Sequence, residues 1–162
     1  MTKFFFNYYV LLLTILFVTS AQAADTNSNV NANPNYDAAL AKKLEADDYG
    51  MKSYVFVILT SGENNNKDKA LRSEAFAGHM ANINRLVKDN KLIVAGPFGK
   101  NNNNYRGLFI LNVKSIEEAN KLLATDPAIK AKYLSAQLYN WYGSAALGEY
   151  LPASDKVWKV NP

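Results

Sequence analysis

The chain has a single histidine, His79, and no cysteine. Histidine titrates near neutral pH, so it can take or give a proton in a transition state. It lies in a stretch, residues 68–90, that reads as a long helix in which Phe76, Met80, Ile83 and Val87 recur at intervals of four and three, with Ala75 and Leu86 widening the stripe. Arg72 and His79 are seven positions apart. That is about 20° short of two full turns, so the two share one flank of the stripe and could line the same cleft wall. A lone histidine beside an apolar stripe is more often a hydrogen-bonded core or surface residue than a catalyst, and Arg72 reads equally as a solvated helix residue. Asp126 precedes Pro127, which is how a helix starts: carboxylate at the N-cap, proline at the first helical position. A carboxylate has acceptor sites left over for a second role. Gly96-Pro97 ends an apolar strand and could also shape a cleft floor.

The elements that must position these residues follow from the patterning. Residues 91–113 (KLIVAGPFGKNNNNYRGLFILNV) read as two apolar strands joined by an asparagine-filled loop, a β-hairpin. Leu92-Ile93-Val94-Ala95 and Leu108-Phe109-Ile110-Leu111 are continuous rather than alternating, so both faces of the hairpin should be covered. Before it, Tyr54 to Leu59 is a β-branched and aromatic strand ended by Thr60-Ser61-Gly62, and residues 62–68 are loop. After it, Ser115 and Glu118 form a capping box for a helix to about Ala124, a short turn of helix runs from Asp126-Pro127 through Ala131, and residues 137–142 (QLYNWY) are a last strand ended by Gly143. Tyr139, Trp141 and Tyr142 read as core, barrel or interface aromatics, with Trp141 also placed to stack on a ligand.

The order β-α-β-β-α-β is that of an α+β, ferredoxin-like fold: a four-stranded antiparallel sheet with two helices on one face. Right-handed crossovers put both helices on the same side, which leaves the other face of three apolar strands uncovered. Sheet-on-sheet packing of two copies would cover it, as in a dimeric α+β barrel, so a homodimer is expected.

Outside this domain (53–143) the chain divides into four pieces. Residues 1–23 carry Lys3, an apolar run and Ala21-Gln22-Ala23, the pattern of a cleaved signal peptide, so the protein is expected to be exported, periplasmic or secreted. Residues 24–35 (with DTNSNVNANPN) read as a flexible linker, and residues 36–52 as a short amphipathic helix, Tyr36 to Asp47, stopped by Gly50. Residues 144–162 hold Leu147, Tyr150, Leu151, Val157 and Trp158, too many anchors for a free tail; the segment should dock on the domain or on a partner subunit.

Cleavage after Ala23 removes Lys3 and takes the net charge from +4 to +3. So mild a charge argues for no nucleic acid as partner, and no membrane once the signal is removed. Zero cysteines and one histidine leave no structural zinc site, and no metal is expected. No glycine-rich phosphate loop is present and no cofactor is expected.

The runs FAGHMANINRLVKDNKLIVAGPF and RGLFILNVKSIEEANKLLATDPAIKAKYL resemble the YCII-related domain family of ferredoxin-like dimers. The shared features are the helix histidine, Ala95-Gly96-Pro97 at the end of the second strand, the Ser-x-Glu-Glu-Ala helix start, and Asp126-Pro127. The resemblance implies that His79 and Asp126 form an active-site pair; Arg72, Gly96, Pro97 and Trp141, taken from the residue reading above, are the candidate substrate-binding residues around it. Where many members carry arginine one turn before the histidine, this chain has Phe76, and Arg72 is one turn further back.

Such a pair could abstract a proton beside a carbonyl or phenol-like group. Members of the wider family isomerise lactones or eliminate halide from a chlorinated ring, so the resemblance implies a small-molecule enzyme of lyase or isomerase type. Two other readings fit the same sequence: a non-catalytic module holding a small ligand, and a structural or interaction protein of the cell envelope.

Overall fold

Strand β1 (Met51–Ser61) pairs on both sides along most of its length, antiparallel to β3 (Tyr105–Leu111) on one side and to β4 (Leu134–Ser144) on the other. Strand β2 (Leu92–Pro97) adds to the far side of β3, giving the order β2-β3-β1-β4. The computed structural model describes residues 33–160, so the signal peptide and most of the linker fall outside the described residues. Of the described residues, 37–160 make up one compact unit.

The helices are α1 (Ala38–Lys43), α2 (Lys69–Lys88), α3 (Ile116–Leu123), α4 (Pro127–Lys130) and α5 (Tyr150–Ser154), with a 3-10 turn at Ala145–Glu149. Four of the α-helix starts are capped by side chains, α1 by Asp37, which accepts from the Leu40 amide, and three by residues that the sequence reading places there. Asp68 accepts from the Ala70 and Leu71 amides, Ser115 from Glu118, and Asp126 from Ala128 and Ile129. Glu118 in turn accepts from the Lys114 amide at 3.2 Å, one residue further back than a standard capping box reaches.

Alternation along the strands divides the core in two. Val55, Val57, Leu59, Phe109 and Leu111 face Leu86 of α2 and Ala119 and Leu123 of α3, so both long helices lie on one side of the sheet. This is the α+β, ferredoxin-like βαββαβ architecture. On the other side Tyr54, Ile93 and Ile110 are buried, with Phe56, Val94, Leu108 and, from the C-terminal segment, Leu147 and Leu151 packed against them. The residues after β4 therefore turn back across the face that the helices leave open. Beside them Phe56, Ile110, Tyr139, Asn140 and Trp141 border a hollow of about 290 Å³.

Several boundaries differ from the sequence expectation, each for a backbone reason. Strand β4 runs through Gly143 to Ser144 instead of ending at Tyr142, because Gly143 pairs with Lys52 and leaves room for the Trp141 indole; a Cβ there would meet the ring at 2.5 Å. Helix α1 is six residues and stops at Leu44 rather than reaching Asp47, since Glu45 adopts φ 58° and Asp47 bonds the Tyr49 and Met51 amides, turning the chain into β1. The buried line of α2 is Ala75, His79, Asn82 and Leu86, with Phe76, Ile83 and Val87 half-buried beside it and Met80 exposed. The helix is thus turned about one residue from the stripe read in its sequence, which brings two polar side chains to the middle of its inner face.

Close approach of α2 to α4 depends on Gly78, where an added Cβ would meet Cγ of Pro127 at 2.6 Å. Proline at the first position of a helix has little freedom to give way. Gly78→Ala should therefore cost about 1–3 kcal/mol, the usual range for overpacking, read as a lower urea midpoint with an unchanged slope.

Candidate active site

Helix α2 and the start of α4 bring His79 and Asp126 together from 47 residues apart: Nδ1 lies 2.7 Å from Oδ2. Asp126 has no exposed surface and His79 is 8 % exposed. The imidazole lies between two rings, stacked on Phe109 of β3 at 5.9 Å between centroids and edge-on to Phe76 at 6.0 Å.

The carboxylate divides its two oxygens between structure and site. Oδ1 caps α4, accepting from the amides of Ala128 at 2.9 Å and Ile129 at 3.3 Å. Oδ2 faces His79 and also Asn82, whose Nδ2 is 3.4 Å away. A buried carboxyl would ordinarily titrate high. Here the burial that raises it is outweighed by the hydrogen bond and charge of His79 and by the two backbone donors, and it is held below the usual carboxylate range.

An ionised Asp126 can only accept, so Nδ1 carries a proton whichever charge the ring has, and Nε2 is the position at which the ring can gain or lose one. Among the described residues Nε2 has no protein partner, yet no buried side-chain nitrogen or oxygen is left unpaired. It follows that Nε2 is in reach of solvent. One ring nitrogen is fixed inside and the other is open, which suits proton transfer at Nε2. Among the described residues no group of three or more His, Cys, Asp or Glu side chains is placed to hold a metal ion.

Over residues 54–141 the sequence matches the YCII-related domain. The chain belongs to that family. Among solved structures the YCII-related protein is similar to 5-chloro-2-hydroxyhydroquinone dehydrochlorinase (TftG) from Burkholderia phenoliruptrix AC1100, determined in complex with 2,5-dihydroxybenzoquinone. Identity is 23% and the TM-score 0.37, with 54% of this chain and 92% of that chain covered. No curated protein matches the chain.

The other sequence-predicted residues of this YCII-related domain are placed as follows. Arg72 lies over the rings of Phe76 and Tyr133, 5.6 and 5.8 Å from their centroids, and so adjoins the aromatic wall of the imidazole. Gly96 and Pro97 close the edge strand β2 just past Ala95, which pairs with Phe109 beneath the histidine. Close packing there depends on Gly107 instead of Gly96, because a Cβ on Gly107 would meet the Gly96 carbonyl oxygen at 2.7 Å while one on Gly96 would meet nothing. Trp141 does not join the pair within one chain. Paired with Tyr54 and tilted against its ring at 5.6 Å, it lies on the face of the sheet away from Phe109.

Asn82, Arg85 and Thr125 escaped the sequence reading. Asn82 is one turn from His79 and Thr125 is next to Asp126, and that polar spacing was the available signal. A concavity of about 460 Å³ adjoins Gly78 and Pro127, the neighbours of the pair, but is lined by neither His79 nor Asp126.

The lowered carboxyl has a pH consequence. Asp126 titrates lower when folded than when unfolded, so the stability it contributes is complete above about pH 4 and is lost as pH falls through its folded value. Urea midpoints measured from neutral pH down to about pH 2 should fall in this acid window, and Asp126→Asn should remove that part of the decline.

Proposed function

We propose that this YCII-related protein is a small-molecule enzyme of lyase or isomerase type, with His79 Nε2 as general acid–base and Asp126 fixing the ring. The observation that carries the reading is the 2.7 Å contact of Nδ1 with a fully buried carboxylate while Nε2 stays open. In the forward step Nε2 takes a proton from the carbon beside a carbonyl, or from a phenol-like hydroxyl, and the electron pair moves into the conjugated system. The resulting anion either regains the proton from the imidazolium at another carbon, which is isomerisation, or expels a leaving group that departs with its bonding pair, which is elimination. Asp126 stays ionised throughout and stabilises the imidazolium.

His79→Ala should lose on the order of 10²–10⁴-fold in turnover of a cyclic carbonyl or halogenated phenolic compound, the usual contribution of a positioned acid–base group. Asp126→Asn tests the mechanism without removing the N-cap, since asparagine caps equally well. Its oxygen would keep the Ala128 and Ile129 amides, so its NH₂ would face Nδ1 and drive the ring proton to Nε2, abolishing the base. Nitrogen-15 shifts of the single histidine report that tautomer directly. Turnover undiminished in His79→Ala, or an unchanged tautomer in a folded Asp126→Asn protein, would refute the reading.

The same proposal includes export and dimerisation. Residues 1–23 have the signal-peptide pattern. On the sheet face away from the helices, Tyr139 is 50% and Trp141 37% exposed beside the half-buried Phe56, even with Leu147 and Leu151 packed nearby, and a second copy is the occupant we assign to this surface. The mature protein recovered from the exported fraction should begin at Ala24 and sediment as a dimer, and Trp141→Lys should shift it toward monomer. A monomeric natural protein at micromolar concentration would remove the dimer.

A further inference from the structure

The buried polar residue next to the pair is Asn82, 7% exposed, and its surroundings leave its amide one orientation. Its Oδ1 is 2.8 Å from Nη2 of Arg85 and 3.0 Å from Oγ1 of Thr125, and the same Nη2 is 2.8 Å from that hydroxyl. A guanidinium can only donate and an ionised carboxylate can only accept. The amide oxygen must therefore face Arg85 and the NH₂ must face Asp126; the flipped amide would oppose donor to donor and acceptor to acceptor. The Thr125 hydroxyl has one proton, and at 2.6 Å from the Leu122 carbonyl it donates there while accepting from Arg85, which ties the guanidinium to the end of α3.

We propose that Asn82, oriented by Arg85, is a positioning residue that sets how strongly Asp126 holds the proton of His79. The inference rests on the acid–base reading above but makes a separate claim. At 3.4 Å the contact with Oδ2 is long, so Asn82 acts mainly through the direction of its dipole, which counts for more in a buried site than in water. It donates to the same oxygen that receives Nδ1–H, drawing negative charge away from the imidazole. Arg85 behind it, half exposed and paired with Asp89 at 3.3 Å, adds a weaker positive potential of the same sense. Both favour release of the imidazole proton, so removing either should make the ring hold its proton to higher pH. The other groups around the ring are Asp126 from α4, Arg72 over the Phe76 and Tyr133 rings, and the uncharged Phe109 from β3.

Because the chain has one histidine, the effect is readable without a substrate in untagged protein. The probe is diethyl pyrocarbonate, which acylates neutral imidazole, with nitrogen-15 histidine shifts as a second measure across the same pH range. Asn82→Asp, identical in shape, turns the donor into a second carboxylate and should raise the titration midpoint by about one unit or more, making acylation about tenfold slower on the acid side. Asn82→Leu and Arg85→Gln should shift it in the same direction by less, and Arg85, being exposed at the helix surface, can be replaced without disturbing the core. Midpoints in Asn82→Leu and Arg85→Gln that coincide with the natural protein, or fall below it, would overturn the proposal. Upward shifts in a protein that turns over no carbonyl or phenolic compound would instead uphold the positioning role and count against the acid–base enzyme.

Discussion

The structure on the helix side of the sheet is arranged around one buried charge. Asp126 is wholly enclosed, and a carboxylate removed from water costs several kcal/mol unless its lone pairs are taken up. Four donors take them up: two backbone amides of α4 on Oδ1, and His79 and Asn82 on Oδ2. That requirement explains why α2 turns polar residues inward at its centre, and why α2 has glycine where Pro127 comes against it. It also explains why α4 begins where it does. The polar centre of α2, its glycine and the N-cap of α4 are one constraint seen from three elements.

How much of this was legible in the sequence depends on where the information resides. The middles of β1 and β3 showed as β-branched and aromatic runs because they are buried on the helix side and buried or half-buried on the other, whereas the ends of β1 and β4 are held by backbone pairing that leaves no side-chain pattern. Helix starts were readable because capping is local chemistry: Ser115, and Asp126 before Pro127, each bond an amide two or three positions on. The pairing of His79 with Asp126 was not local, and only resemblance to a family connected them. Asn82 did not stand out, because nothing near it in the sequence shows that Asp126 and Arg85 will come against its side chain.

The sheet's second face was partly legible too. Continuous apolar strands pointed to cover on both sides, and the structure supplies some of that cover from within the chain, through Leu147 and Leu151. The period of two along β4 decides what remains. Tyr139 and Trp141 point to this face, while Leu134 and Leu138 pack with the core on the helix side. A second copy would therefore meet sheet aromatics and the returning C-terminal segment together, a composite surface rather than a bare sheet.

Stability alone does not account for the pair. Replacing a buried ion pair with apolar side chains of similar volume is often neutral or stabilising, so leucines or methionines at these positions could join α2 to α4 equally well. His79 bonds Asp126 through one ring nitrogen and leaves the other without a partner among the described residues, beside the rings of Phe76 and Phe109. The fold thus meets the cost of a buried charge in order to fix an imidazole whose free nitrogen has nothing to do inside the protein, which is intelligible if its partner comes from solution.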